Sequence, residues 1–235
     1  MSRLWRADAV TASLAPHRWS WAEANRERIV AHWARRKAER PAIFNGRVLM
    51  LSGLEVQAGH TVARFFETGY AEMTAWLDLG RPDAGVGNGF AMGALRGRDG
   101  GFILGRMANH TANAGHLYFP AGTPDLGDVT PEGEVDLAGS MLREITEETG
   151  LGPVDWTVAP SWTVVEEEGR VAFLREIRLW VPAEEACRRI GDFLAAEPRP
   201  ELAGVEIVTP ERALEAEIPA YLRTYLGAAF RDQTS

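Results

Sequence analysis

The spacing of apolar and polar positions divides the chain into helical and extended stretches. Between Trp21 and about Glu39, Ile29, Val30 and Trp33 recur at helical intervals among charged residues, and Pro41 closes the run, which predicts a helix. "AIFNGRVLMLSGLEVQAGHTVARFFETG" is rich in β-branched and aromatic residues and is punctuated by Asn45-Gly46, Ser52-Gly53 and Ala58-Gly59. It predicts a meander of short strands, with Asn-Gly as its strongest hairpin signal. A short helix is expected from Tyr70 to Leu79, and "GRPDAGVGNG" after it reads as an internal boundary. Two strands around Arg98-Asp99-Gly100-Gly101 and a long loop over 108–135 follow. The next helix runs from about Leu137 to Thr149, with Asp136 as N-cap and Gly150 just past its end. Strands joined near Gly169, a helix from about Ala183 to Ala196 and a strand in "GVEIVTP" come next. "PAYLRTYLGAAF" completes the pattern as a helix with Tyr221, Leu222, Tyr225 and Leu226 on its buried side. The expected organisation is an N-terminal lobe over 1–84, made of a helix and a β-meander, followed by a domain over 85–235.

Composition narrows the function. Hydrophobic residues make up 46% and charged residues 25% of the 235 positions, as in an ordinary globular protein. No apolar run approaches the roughly 18 residues of a membrane span, and "MSRLWRADAVTASLAPHRW" lacks the continuous apolar core of a secretory leader. Cys187 is the only cysteine, so no intrachain disulfide can form, in keeping with a reducing cytoplasm. A net charge of −8 argues against a general nucleic-acid binder. It leaves room for an anionic small molecule met through a divalent cation, which inverts local electrostatics.

The chemistry concentrates in "REITEETGL", Arg143 to Leu151. Leu142, Ile145 and Thr149, with Ala138 nearby, fall on one helix face; Glu144, Glu147 and Glu148 crowd another, with Arg143 one turn before Glu147. Like charges at these spacings repel by roughly 0.2–0.5 kcal/mol per pair. Magnesium takes hard oxygen ligands at ~2.0–2.1 Å, so a bound dication turns this repulsion into a site, and Arg143 can hold one carboxylate in orientation. The alternative is a solvated acidic face.

"REITEETGL" also resembles, position for position, the second half of the Nudix box, R-E-U-x-E-E-x-G-U with U aliphatic. The box glycine corresponds to Gly122 in "FPAG", and Asp128 stands five intervening residues later, at the acidic position. Fourteen residues then separate Asp128 from Arg143 where the family has seven, and Glu134 and Asp136 compete with Asp128. The resemblance implies an α+β Nudix fold, a mixed β-sheet sandwiched between helices, extended here by the N-terminal helix and meander. It implies a hydrolase that cleaves a nucleoside diphosphate linked to another moiety. Mg²⁺ or Mn²⁺ would be held by Glu144, Glu147 and Glu148, with a backbone carbonyl near Ala121 or Gly122 as a further ligand. The general base is a box Glu, Glu201 in "RPELAGVEIVTP", or one of Glu166 to Glu168 in "VVEEEGR", with Glu201 favoured; for the last group a solvated hairpin turn is the competing reading.

Two finer resemblances bear on substrate. "ILGRMANHTANAGHLYFPAG", followed by Asp125 and Asp128, is similar to the segment entering the box of coenzyme A diphosphatases, with Asn113 where that branch has His. The Trp-bearing first helix, "RPAIFNGRVLML" and "DLAGS" are similar to hydrolases of UDP-glucose and related UDP-sugars, the reading favoured here. A Nudix domain that binds a nucleotide without hydrolysing it is the rival from another class. Arg106 is expected to contact phosphate and Asp128 to lie at the substrate. "GVGNG" at 85–89 is followed by a strand, which rules out a dinucleotide loop. His110 and His116 lack a thiolate companion, and Cys187 lacks a His partner. Trp19, Trp21 and Trp33 are expected in the core or at a homodimer interface rather than stacked on a base.

Overall fold

The computed structural model of the chain describes residues 2–232 apart from Ala42, Ala112 and Ala216. Its first residues, which show no helical period, are extended: β1 (Arg3–Ala7) and β2 (Ala9–Leu14) precede a helix broken at Asn25 into α1 (Ser20–Ala24) and α2 (Arg26–Glu39). The expected meander is two long strands, β3 (Arg47–Gln57) and β4 (His60–Gly69), and α3 (Tyr70–Asp78) follows. β3 and β4 pair antiparallel, while β2 runs parallel to β4 on its other side.

The breaks in this region differ from the sequence expectation. Ala58-Gly59 makes the hairpin turn, with Gly59 at φ 72, and Ser52-Gly53 marks a register shift within β3 rather than a strand end. Asn45-Gly46 makes no hairpin. Asn45 Oδ1 accepts from Ala71 N at 2.7 Å and the Gly46 carbonyl accepts from Tyr70 N at 2.9 Å. The pair therefore satisfies free amides in the first turn of α3, where a short amide side chain serves as well as in a turn.

The remaining elements are β5 (Asn88–Arg96), β6 (Phe102–Met107), β7 (Leu117–Tyr118), β8 (Ala121–Gly122), α4 (Leu137–Thr149), β9 (Trp156–Val158), β10 (Trp162–Glu167), β11 (Arg170–Leu179), α5 (Ala183–Ala196), β12 (Leu202–Val208) and α6 (Ala220–Arg231). Among the described residues the main sheet runs β1-β10-β11-β5-β6-β12, with β7, β8 and β9 as short additions. Only β11 and β5 are parallel in it. Residues of α4 and α5 such as Met141, Ile145, Ala186 and Ile190 pack in one core cluster, and Tyr221, Leu222, Tyr225 and Leu226 of α6 pack in another across the sheet. The fold is thus α+β, a mixed sheet between helices, as expected. No helix among the described residues is long and apolar enough to cross a membrane.

The core does not divide at residue 85. Ala12, Leu49, Leu51, Ala63 and Phe65 from the N-terminal segment share one cluster with Ile145, Phe173 and Ile190, and β1 is a strand of the main sheet. "GRPDAGVGNG" is stitched down rather than free. Asp83 accepts from the Trp19 and Trp76 indoles at 3.0 Å each, and Leu51 and Gly87 exchange backbone bonds of 2.8 and 2.9 Å. Trp19 is accordingly a core residue.

Candidate active site

Helix α4 is seated by its apolar side. Leu137, Ser140, Met141, Ile145 and Thr149 are buried, whereas Leu142 is only half-buried, so the inward face is centred on Met141 and Ile145. Burying two such side chains contributes roughly 1.5–3 kcal/mol each, several times the repulsion between neighbouring glutamates; packing therefore sets the helix and the acidic face is carried with it. Asp136 caps the N-terminus by accepting from Gly139 N at 2.8 Å. Gly150 ends the helix at φ 69, a left-handed conformation that costs a side-chain-bearing residue more than glycine.

The doubled spacing ahead of Arg143 is a closed excursion. Asp136 N donates to the Asp128 carbonyl at 2.8 Å, and Val129 faces Val135 in an antiparallel bridge, so residues 129–135 leave and return at one point. Their far side docks on β2: Leu14 N donates to Gly133 O and Val135 N to Ala12 O, each at 2.9 Å. The excursion brings Asp128, rather than Glu134 or Asp136, to the arginine. Arg143 Nη2 donates to Asp128 Oδ1 at 3.0 Å, and Asp125 N donates to Asp128 Oδ2 at 3.0 Å. With a buried carboxylate engaged at both oxygens, Asp128 faces inward instead of toward a substrate, which corrects that expectation. Arg143 Nη1 in turn donates to Glu144 at 2.8 Å and lies 3.5 Å from Glu147.

The three glutamates differ in environment. Glu147 is 58% exposed. Burial raises the Glu144 carboxyl above its ordinary range, against the nearby Arg143 charge. Burial also pushes Glu148 up to about 8; a 3.3 Å bond from Ala121 N opposes this, and Glu144, Glu201 and Glu147 add to it. A cation placed beside such a carboxyl would favour its charged form. Backbone also approaches closely: a Cβ on Gly122 would meet the Glu144 carboxylate, so a side chain there would displace that group. The hard-oxygen donor set and its partly desolvated position fit Mg²⁺ or Mn²⁺. The side chains as placed do not converge, and among the described residues no group of three His, Cys, Asp or Glu is arranged to hold a metal ion. Arg143 and Ala121 N now hold two of the carboxylates apart.

Glu148 lines two cavities. One is a small acidic cleft of about 200 Å³ whose walls include Glu144, Glu147, Glu148, Glu197, Arg199 and Glu201. Here the structure brings Glu201 to the box glutamates. The other, about 480 Å³, lies on the α6 side of the sheet and is walled by Asn88, Phe90, Tyr118, Gly122, Glu148, Arg170 and Tyr221, among others. A larger cavity of about 730 Å³ between β3 and the 80–87 loop touches none of the box residues.

Arg106 does not meet the expectation of a phosphate contact. Its guanidinium is bonded to Glu206, to Glu217 at 3.1 Å and to the Gly115 carbonyl at 2.8 Å, so its donors brace β12 and the 217 region. "VVEEEGR" is the β10–β11 hairpin, with Glu168 and Gly169 at φ 47 and 74 in its turn. Glu166 pairs with Arg3 at 2.8 Å and Glu168 with Arg81 at 2.9 Å, which leaves Glu201 as the better-placed candidate base. Cys187 is pushed up to about 11, chiefly by burial and secondarily by Asp99, as suits a packing residue. The sequence reading passed over Asn88, Arg170, Glu197 and Arg199. They carry no motif and reach the cavities only through strand register and the α5–β12 connection.

No protein-family profile matches the sequence, and no curated protein does. Among solved structures, the chain is similar to a MutT protein from Methanosarcina mazei Go1, with 19% identity and a TM-score of 0.39 over 63% of this chain and 95% of that one. It is also similar to RenU, a Nudix hydrolase from M. smegmatis, with 17% identity and a TM-score of 0.41 over 63% and 86% of the two chains. A third is a Nudix hydrolase from Nitrosomonas europaea, with 14% identity and a TM-score of 0.41 over 63% and 90%. Two of these three proteins are Nudix hydrolases.

Proposed function

We propose that the chain is a Nudix-type pyrophosphohydrolase that uses Mg²⁺ or Mn²⁺ to cleave a nucleoside diphosphate linked to another moiety. The observation that carries this reading is the placement of Glu148, half-buried and lining both an acidic cleft that also holds Glu144 and Glu201 and an aromatic-walled cavity. Glu144, Glu147 and Glu148 would hold the ion, with the backbone at Gly122 beside them. Bound there, the ion supplies charge neutralisation at the phosphoryl oxygens and acidifies the attacking water.

The chain's own groups do the rest. Asp128 fixes the Arg143 guanidinium, and Arg143 fixes the Glu144 carboxylate, so an exposed helix face presents a defined ligand. Glu201 faces the same cleft and serves as the general base that takes the proton from water. Within this class a UDP-sugar is the favoured substrate, on the sequence resemblance of the N-terminal segment, and coenzyme A the alternative.

The lack of convergence among the carboxylates favours one second reading, a nucleotide-binding domain without hydrolysis. One screen separates the two. UDP-sugars, ADP-sugars, coenzyme A, dinucleoside polyphosphates and NADH are incubated with Mg²⁺, and phosphate is read after phosphatase coupling. The hydrolase reading expects release that drops to background in Glu147→Gln and Glu148→Gln with the fold retained; full activity in either variant sinks it.

A further inference from the structure

We infer that the 480 Å³ cavity on the α6 side of the sheet takes the nucleoside-monophosphate half of the substrate, with Arg170 on its phosphate and Asn88 on its ring or sugar. This rests on the hydrolase reading for which bond is cut, but not for what the cavity binds.

The acidic cleft is a poor home for a polyanion, since carboxylates of five glutamates surround it and Arg199 is its one cation among the lining residues. The 480 Å³ cavity has three glutamates in its lining but also Arg170 and Arg223, together with aromatic side chains. Phe90 and Tyr221 pack edge to face at 5.7 Å, and with Tyr118 they line the cavity with aromatic edges and faces against which a ring can pack. Its volume lies within the roughly 300–1,000 Å³ of small-molecule sites.

Two polar groups in this cavity lack partners. Arg170 is half-buried and has no hydrogen bond or ion pair among the described residues, whereas the acids at the same rim are engaged: Glu167 by Ser2, Glu168 by Arg81. Arg170 lines the cavity together with Tyr118 and Tyr221. Asn88 Oδ1 is buried and accepts no bond among the described residues. Desolvating such an atom costs about 1–3 kcal/mol unless a donor arrives. Parallel pairing of β11 with β5 puts Arg170 and Asn88 directly side by side, so one ligand can satisfy both. Glu148 lines this cavity as well as the acidic cleft, so a phosphate on Arg170 sits in a cavity that a box glutamate also walls.

The test is calorimetric titration of the full chain in EDTA with uridine, cytidine, adenosine and guanosine 5′-monophosphates, their parent nucleosides and inorganic phosphate. At least one monophosphate is expected to bind at least tenfold tighter than its nucleoside and than phosphate. Arg170→Gln should erase the gap to the nucleoside and Arg170→Lys should restore part of it. Asn88→Asp should weaken the monophosphate more than the nucleoside. Undiminished monophosphate affinity in Arg170→Gln, or phosphate binding as tightly as every nucleotide, overturns the inference. If Arg170→Gln does not fold, the Asn88→Asp comparison decides alone. Hydrolysis by the wild type with an Arg170-independent KM would sink this inference and leave the hydrolase standing. Arg170-dependent binding without hydrolysis would do the reverse.

Discussion

At the scale of single residues, the box is a relay of charges from interior to surface. Asp128 is buried, Arg143 half-exposed and Glu147 mostly exposed, and each orients the next. Asp128→Asn keeps the bond from Asp125 N but loses the charge facing Arg143. It should lower kcat by about 10–100-fold, as loss of a ligand-orienting partner does, with KM little changed; a wild-type kcat would show that Arg143 needs no orienting. Glu148 gives a prediction in pH. Its folded value of about 8 lies above the unfolded value near 4.5, so the folded state holds a proton that the unfolded state releases between them. The stability this group contributes is complete below pH 4.5 and is lost as pH rises to about 8. In metal-free buffer Glu148→Gln should therefore match the wild-type melting temperature near pH 5 and exceed it at pH 8. A constant difference across that range would place Glu148 in water instead.

At the scale of elements, the long box loop is two things joined: a turn at 122–128 that carries Asp128 and an appendix at 129–135 tied to β2. Excising 129–135 leaves seven residues between Asp128 and Arg143 and joins two residues already in contact, Asp136 N lying 2.8 Å from the Asp128 carbonyl oxygen. The deletion should preserve metal-dependent hydrolysis. It should cost about 2–4 kcal/mol of stability for two backbone bonds and the buried Val135 side chain, read by urea unfolding. Loss of activity in a folded deletion would make the appendix part of the site. The second half of the box was legible because a helix writes its faces into local spacing. The first half was not, since whether fourteen residues close on themselves depends on β2, more than a hundred positions earlier.

At the scale of the whole molecule, the N-terminal segment is a structural partner of the site. Leu49 N holds the Pro124 carbonyl at 2.8 Å, Ala12 and Leu14 hold the appendix, and Phe65 and Leu51 complete the core under Ile145. A chain starting at residue 85 should consequently lack a cooperative thermal transition and bind a dye for exposed apolar surface. A sharp transition in that fragment would restore two independent units.

Local spacing alone determined the helix with its acidic face, its caps, the terminal helix and the α+β class, because each is written within a few turns of chain. Tertiary structure alone decided that Asp128 and not its rivals meets Arg143, and that Arg106 is spent on Glu206 and Glu217. It alone set Arg170 beside Asn88 and seated the first strands within the main sheet. Those outcomes rest on pairing between distant strands, and pairing register is a property of two segments that neither carries by itself.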